Sequence, residues 1–137
     1  MSYDLMVFEK KKAPQTKRDF LDWYEQQIEW NEDHDYQTIQ VSSPALQNWF
    51  MEMKNTFPPM DGEYAPDPDL LDEDEDLELH TVEYSIGHDV IYISFSYSTM
   101  EEAYELTRKL ATKHGVGFFD VSSEDGDIIL PDGTILV

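Results

Sequence analysis

The chain has 137 residues, of which 40% are hydrophobic and 13% aromatic, so it can bury a core as a single domain spanning residues 1–137. It contains no cysteine, which excludes disulfides, thiolate metal sites and a cysteine nucleophile. Its 30 acidic and 9 basic residues give a formal net charge of −21, which disfavours binding to nucleic acids or anionic membranes and favours cations or a basic protein.

The sequence carries no recognisable targeting or membrane-spanning segment. Residues 1–8 lack a basic region followed by a long apolar run, as a secretory signal would have. No apolar stretch approaches the roughly 20 residues that a membrane helix needs. We therefore expect a cytoplasmic protein, by elimination.

The first two predicted elements are a strand and a helix. The short apolar run over residues 3–8 predicts a strand. A helix is predicted over 17–30, because apolar residues recur every four positions from Phe20 and Thr16 precedes them as an N-cap.

The next helix has the clearest pattern in the chain. Ser43-Pro44 supplies an N-cap and a proline at the first helical position, and apolar residues follow at helical spacing from Leu46 to Phe57. Pro58-Pro59 is expected to end this helix.

Residues 61–78 form an acidic segment in which no basic residue interrupts the carboxylates. Together with Pro66 and Pro68, this composition predicts a long loop or a locally disordered segment that interrupts one domain rather than separating two.

A β-hairpin follows the acidic segment. Residues 80–86 and 90–97 both alternate between apolar and polar side chains, and Gly87-His88-Asp89 lies between them as a tight turn. A third helix is then predicted, capped by Ser98 and ended by Gly115. The last elements are a strand over 116–121, a turn from Ser122 to Gly126, and a short C-terminal hairpin over 128–137.

This order predicts an α+β fold. Without one of its helices it reads β-α-β-β-α-β, the ferredoxin-like split β-α-β arrangement, with helices on one face of an antiparallel sheet. The extra helix and the acidic loop are insertions in that arrangement. The alternative is a meander with helices packed at one end. In the ferredoxin-like reading, polar residues of the hairpin such as Ser85 and Ser94 face solvent or a partner.

Four strings carry a resemblance to a known family: YDLMVFE, EYSIGHDVIYISFSYS, EEAYELTRKLATKHGVGFFDVS and PDG. They resemble an uncharacterised family of small acidic bacterial proteins of about this length, over most of the chain outside the acidic loop. The resemblance implies no catalytic residue, cofactor or metal ligand. In style these proteins are similar to immunity and antitoxin partners of bacterial toxins.

The residues themselves contain no strong catalytic motif. There is no G-x-S-x-G elbow, P-loop or dinucleotide fingerprint, and the histidines lack metal-ligand spacing. We therefore predict no catalytic site, no metal site and no cofactor. The stretch Glu32-Asp33-His34-Asp35 contains an acid–base pair, so a small hydrolase-like enzyme using His34 or His88 is the alternative.

The function that these observations favour is that of a non-enzymatic acidic binding protein, such as an immunity- or antitoxin-type inhibitor of a basic partner protein. A homo-oligomer formed through the sheet is a third hypothesis. The residues expected to contact the partner are aromatic anchors and acids of the loop. They are Trp23, Trp30, Tyr36, Tyr64, Asp72, Glu73, Asp74, Glu75 and Asp76.

Overall fold

A computed structural model describes residues 2–124 and 126–137, so Asp125 of the turn predicted between Ser122 and Gly126 lies outside the described residues. In these ranges the chain forms five strands and five α-helices. The strands are β1 (Tyr3–Phe8), β2 (Glu83–Ile86), β3 (Val90–Phe95), β4 (Gly117–Phe119) and β5 (Ile128–Ile129). The helices are α1 (Lys17–Gln27), α2 (Pro44–Met53), α3 (Pro68–Glu73), α4 (Glu75–His80) and α5 (Met100–His114).

The strands form one antiparallel sheet in the spatial order β2-β3-β1-β4-β5. The predicted hairpin is confirmed, since β2 and β3 pair with Ile86 opposite Ile91 around the turn at Gly87. At the C-terminus, Leu130 N–H donates to the carbonyl oxygen of Thr134 and Ile129 bridges Ile135, which closes the short terminal hairpin. The α+β class and the antiparallel sheet therefore agree with the sequence prediction.

Helices cover both faces of the sheet, so the prediction that they share one face is wrong. Leu5 and Val7 of β1 pack with α2 and α5 in one cluster of buried side chains. The alternate residues Met6 and Phe8 point the other way and pack against Phe20 of α1. Because successive side chains of a strand point to opposite faces, a strand that is apolar at every position needs both faces covered.

The helix ends follow the predicted capping residues in part. Thr16 Oγ1 accepts the N–H of Asp19, and Ser43 Oγ accepts that of Leu46. Gly115 ends α5 in the left-handed conformation, with a φ of 72°. Ser98 does not cap α5, because a 3₁₀ turn (Tyr97–Thr99) precedes that helix and Ser98 lies within it.

The first two helices also end sooner than their apolar patterns predict. The prediction that α1 runs to residue 30 is wrong, since it ends at Gln27. The second helix ends at Met53, although Phe57 beyond it is still buried in the core. In both cases the apolar spacing continues into a turn that keeps its side chains against the sheet. Within the described ranges, no helix combines the length and apolarity that crossing a membrane would require.

The acidic segment contains two short helices, so its prediction as a long loop or a locally disordered segment is wrong. Asp67 caps α3 and Pro68 is its first residue, which repeats the Ser43-Pro44 arrangement of α2. Asp74 caps α4, where its Oδ1 atom accepts the N–H groups of Asp76 and Leu77. Carboxylates near a helix N-terminus are stabilised by the helix dipole, and the acidic composition is therefore compatible with helices at these positions.

The outer edge of β2 is covered by two loops. Ile86 N–H donates to the carbonyl oxygen of Tyr36, and Val82 N–H donates to that of Pro58. Met60 N–H in turn donates to the carbonyl oxygen of Val82. These bonds engage both backbone groups of Val82 and the N–H of Ile86, so part of this edge of the sheet is bonded within the chain.

Candidate functional site

The most distinctive surface of the protein is an acidic face, which comprises α3, α4 and the first two turns of α5. Its carboxylates are exposed to solvent. They are Asp69, Asp72, Glu73, Asp74, Glu75, Asp76, Glu78, Glu101, Glu102 and Glu105. Among the described residues no Lys or Arg forms a salt bridge with an acid of α3 or α4. The acidic face therefore presents a strong negative field.

His80 joins the two parts of the acidic face. Its Nε2 atom lies 2.8 Å from a carboxylate oxygen of Glu102, and its Nδ1 atom lies 2.8 Å from the carbonyl oxygen of Asp76. Burial of the ring against Phe57 lowers the pKa of His80, but the hydrogen bonds to Glu102 and Asp76 outweigh this and raise it overall. The imidazole thus holds α4 on α5 most firmly in its charged form.

Apolar side chains lie among the carboxylates of the acidic face. Tyr97 and Leu79 are each 46% exposed, and Met100 is 40% exposed. A shallow cleft runs over residues 97–102, and a neighbouring one is lined by Tyr3, Met100 and Tyr104 with carboxylates of α5. Exposed apolar groups surrounded by charge are a common composition for a protein-binding surface.

Basic residues gather at the opposite end of α5. Lys113 Nζ lies 2.8 Å from a carboxylate oxygen of Glu52, and His114 Nε2 lies 2.9 Å from the same oxygen. The hydrogen bond from Lys113, followed by that from His114, holds the pKa of Glu52 below its usual value. These contacts hold α2 against the C-terminal end of α5. The start of α5 is therefore acidic and its end is basic.

The four aromatic residues predicted as partner anchors are half-buried and pack within the chain. Trp23 lies against Phe8 on the α1 side of the sheet, and Trp30 packs edge-on against Tyr36. Tyr64 packs on Phe50, with Lys54 Nζ 5.1 Å from its ring centre. The acids Asp72 to Asp76 lie on the acidic face, but these aromatic rings do not join them in one exposed patch.

A second group of polar residues converges where the loop after α1 meets the β2–β3 turn. Glu32, His34 and His88 each offer a ligand atom, and these atoms all lie within 4.8 Å of one another. Glu32 Oε1 accepts a hydrogen bond from His34 Nε2 at 2.7 Å and from the backbone N–H of His88 at 2.9 Å. We call this the histidine–glutamate cluster.

The hydrogen bonds of the histidine–glutamate cluster assign the ring protons. His34 Nδ1 accepts the N–H of Tyr36, so the neutral ring carries its proton on Nε2, where it donates to Glu32. His88 Nδ1 donates to the carbonyl oxygen of Val41, which leaves the lone pair of the neutral ring on Nε2.

The loop that supplies Glu32 and His34 has an unusual backbone. Trp30 and Tyr36 have φ values of 56° and 60°, and they are the non-glycine residues of positive φ in the described ranges. Such residues cost free energy, and they concentrate at functional sites. Here Trp30 and Tyr36 lie at the two ends of the segment that brings Glu32 and His34 to the hairpin turn.

The histidines lack metal-ligand spacing in the sequence, but two of them lie close together in space. His34 and His88 are far apart in the chain, yet their ring centres lie 5.1 Å apart. Sequence spacing gave no signal for this pair, because a loop and a hairpin turn bring the two residues together. Five clefts of the described residues are lined by other side chains, so the convergent groups that the hydrolase-like alternative needs lie outside these clefts.

Neither protein-family models, nor curated proteins, nor solved structures include a match to this chain. The resemblance to small acidic bacterial proteins, which four sequence strings suggest, therefore stays a prediction.

Proposed function

We propose that this protein is a non-enzymatic binding protein whose acidic face docks onto a basic partner protein and inhibits it, in the manner of an immunity protein. The single observation that carries the proposal is the run of exposed carboxylates over α3, α4 and the start of α5. Among the described residues, no Lys or Arg forms a salt bridge with the acids of α3 and α4. A toxin that acts on nucleic acid has the basic groove that such a surface complements.

Inhibition would proceed by occlusion. The carboxylates of the acidic face would occupy the positions that phosphates take in the partner's groove. Long-range attraction raises the association rate, whereas contacts that exclude water slow dissociation. The exposed Tyr97, Met100 and Leu79 are the apolar groups of the acidic face that could supply such contacts.

The predicted contact residues Asp72 to Asp76 divide into two roles. The carboxylate of Asp74 is engaged as the N-cap of α4. The side chains of Asp72, Glu73 and Glu75 form no hydrogen bond within the described residues and are exposed, so they are free to meet a cation of the partner. We expect the free carboxylates to dominate the electrostatic part of recognition.

Two matched variants test the proposal. The first, D72N/E73Q/E75Q/E78Q, removes four charges from the acidic face without touching its N-caps. The second, D22N/E25Q/E29Q/D33N, removes four charges from α1 and the loop after it. Binding is measured against basic proteins purified from the native host, at low and high salt.

The proposal expects the acidic-face variant to lose affinity at least ten-fold through a slower association rate, with a smaller salt dependence, while the α1 variant binds like the wild type. Inhibition of the partner's activity should follow the same order. Equal losses of affinity in the two variants would show that binding depends on the net charge of the protein and not on the acidic face. Binding that is insensitive to both variants would exclude the acidic face as the docking surface.

We also propose that the scaffold is a ferredoxin-like split β-α-β arrangement. Two observations support this: β1 to β4 lie in the spatial order β4-β1-β3-β2 with antiparallel neighbours, and α2 and α5 pack on the same face. In this description α1 is the added helix that covers the second face, and α3 and α4 are inserted before β2.

A further inference from the structure

The histidine–glutamate cluster places two ligand atoms close to each other. His88 Nδ1 is engaged as a donor to the Val41 carbonyl oxygen, so the Nε2 atom of the neutral ring keeps its lone pair, and this atom lies 3.3 Å from Glu32 Oε1. Glu32 Oε1 also accepts the Nε2–H of His34 and the backbone N–H of His88. A histidine whose other ring nitrogen donates to a backbone carbonyl is the usual form of a metal-binding histidine.

The spacing of these two atoms fits a tetrahedral transition metal. An ion with metal–nitrogen and metal–oxygen distances of about 2.0–2.1 Å separates its tetrahedral ligand atoms by roughly 3.3–3.4 Å. The distance between His88 Nε2 and Glu32 Oε1 is 3.3 Å. The distance between His34 Nε2 and the same oxygen is 2.7 Å, which is that of a hydrogen bond. These distances therefore indicate that His88 and Glu32 are the ligands and that His34 positions Glu32.

His34 orients the carboxylate of Glu32. Its Nε2–H donates to Oε1, and Tyr36 N–H fixes the tautomer from the other side of the ring. Gly87 allows the carboxylate to approach the turn, because a Cβ atom at that position would lie 2.9 Å from Glu32 Oε2. Glu32 is thus held by groups from the loop and from the hairpin turn before any ligand arrives.

The cluster is open to solvent on one side. The side chain of His88 is 57% exposed, whereas those of Glu32 and His34 are 22% and 11% exposed. An ion can therefore reach the pair from the His88 side, and its remaining coordination positions would face water. The formal net charge of −21 raises the local concentration of any divalent cation.

We propose that Glu32 and His88 form a binding site for a divalent transition-metal ion of the zinc class, with His34 as the positioning residue for Glu32. This site is separate from the acidic face and does not depend on the proposed function. Its nitrogen ligand selects zinc, cobalt or nickel over magnesium and calcium, which prefer oxygen ligands alone.

The site can be tested by titrating the ¹⁵N-labelled protein with Zn²⁺ in excess Mg²⁺, so that Mg²⁺ occupies the exposed carboxylates. The proposal expects one saturable event that shifts the ¹⁵N resonance of His88 Nε2 and the amide signals of residues 32–36 and 87–88. It also expects Zn²⁺ to raise the unfolding temperature, because the ion binds the folded state. Shifts confined to residues 67–78 and 101–105, or no shift at His88, would overturn the proposal.

Variants separate ligands from the positioning residue. His88→Ala and Glu32→Gln should each weaken Zn²⁺ binding at least ten-fold. His34→Ala should weaken it by about 10–100-fold, as loss of an orienting partner does, and His34→Gln should recover part of that loss because its amide can still donate. His80→Ala is the matched control, since His80 also lies beside a carboxylate, and it should leave binding unchanged.

The wild-type ¹⁵N measurement keeps the test decisive if a variant folds poorly, because it needs no substitution. A His88→Ala protein that is folded and binds Zn²⁺ as tightly as the wild type would exclude His88 as a ligand. A wild-type protein in which His88 only gains a proton as the pH falls, with no response to Zn²⁺, would show an ion pair with Glu32 instead of a metal site.

Discussion

The two ring nitrogens of His80 face two acceptors, and one of these is the carboxylate of Glu102, 2.8 Å from Nε2. The other is the backbone carbonyl oxygen of Asp76. A neutral imidazole can donate to only one of them, so both contacts are satisfied only when His80 is protonated. This relationship makes the attachment of α4 to α5 dependent on pH.

The first prediction concerns this attachment. Because the pKa of His80 is raised in the folded protein, its contribution to stability is fully present below the unfolded pKa of 6.5 and is lost as the pH rises through the folded value. A double-mutant cycle of His80→Ala and Glu102→Gln should give a coupling of about 0.2–1 kcal/mol near pH 6 and almost none near pH 9. Chemical unfolding at the two pH values measures it, and equal couplings would contradict the prediction.

The second prediction concerns the N-cap of α4. Asp74→Ala removes the acceptor of the N–H groups of Asp76 and Leu77, so α4 should lose about 1 kcal/mol of local stability. Amide hydrogen exchange should accelerate in residues 75–80, with little change in the β-sheet. Asp72→Ala removes the same charge from a side chain that caps no helix, and should leave exchange in α4 unchanged. If the two variants behave alike, Asp74 has no capping role.

The third prediction concerns the pairing of β1 with β4, where Phe8 lies opposite Gly117. A Cβ atom on Gly117 would lie 2.1 Å from the ring of Phe8, which is fully buried. Gly117→Ala should therefore destabilise the protein by roughly 3 kcal/mol, near the upper end of overpacking costs. Phe8→Leu in the same chain should recover part of this loss, which denaturant unfolding can measure. An additive double variant would show that the two residues do not compete for space.

The fourth prediction concerns Glu52, whose pKa is lowered by hydrogen bonds from Lys113 and His114. A carboxyl group with a lowered folded pKa stabilises the protein above its unfolded value of 4.5, and this contribution is lost as the pH falls through the folded value. Glu52→Gln should lower the denaturation midpoint at neutral pH, and the difference should disappear near pH 3. Glu105→Gln, which removes an unpaired charge, should not lower the midpoint at neutral pH.

Local patterns predicted most of the elements because their causes are local. The spacing of apolar residues from Leu46, together with Ser43-Pro44, placed α2 at its observed start. The glycine turn and the alternation on each side of it placed the β2–β3 hairpin. The same capping rule would have placed α3 at Asp67-Pro68, but the acidic composition of the segment outweighed that signal.

The side of the sheet that each helix covers was harder to predict. An amphipathic helix indicates that one of its faces is buried, but it does not name the surface that buries it. The useful signal lay in β1, where Leu5-Met6-Val7-Phe8 is apolar at consecutive positions and all are buried. Such a run indicates a strand covered on both faces, and therefore a helix on each side.

The histidine–glutamate cluster could not be predicted from spacing. Glu32 and His34 share a loop whose position is set by the hydrogen bond between Tyr36 and Ile86, while His88 belongs to the turn that follows Ile86. The sequence identified the acid–base pair in the loop but not its partner in the hairpin. Contacts between distant segments follow from the packing of the whole chain rather than from local pattern.

The β2 edge is bonded to Pro58, Met60 and Tyr36, and these bonds affect the association of one copy of the protein with another at high concentration. A strand from a neighbouring copy can add to a sheet only where amide and carbonyl groups are still available in a row, and here both groups of Val82 and the N–H of Ile86 are already taken. Those bonds interrupt the row of backbone groups that fibre growth or strand exchange between copies would need at that margin.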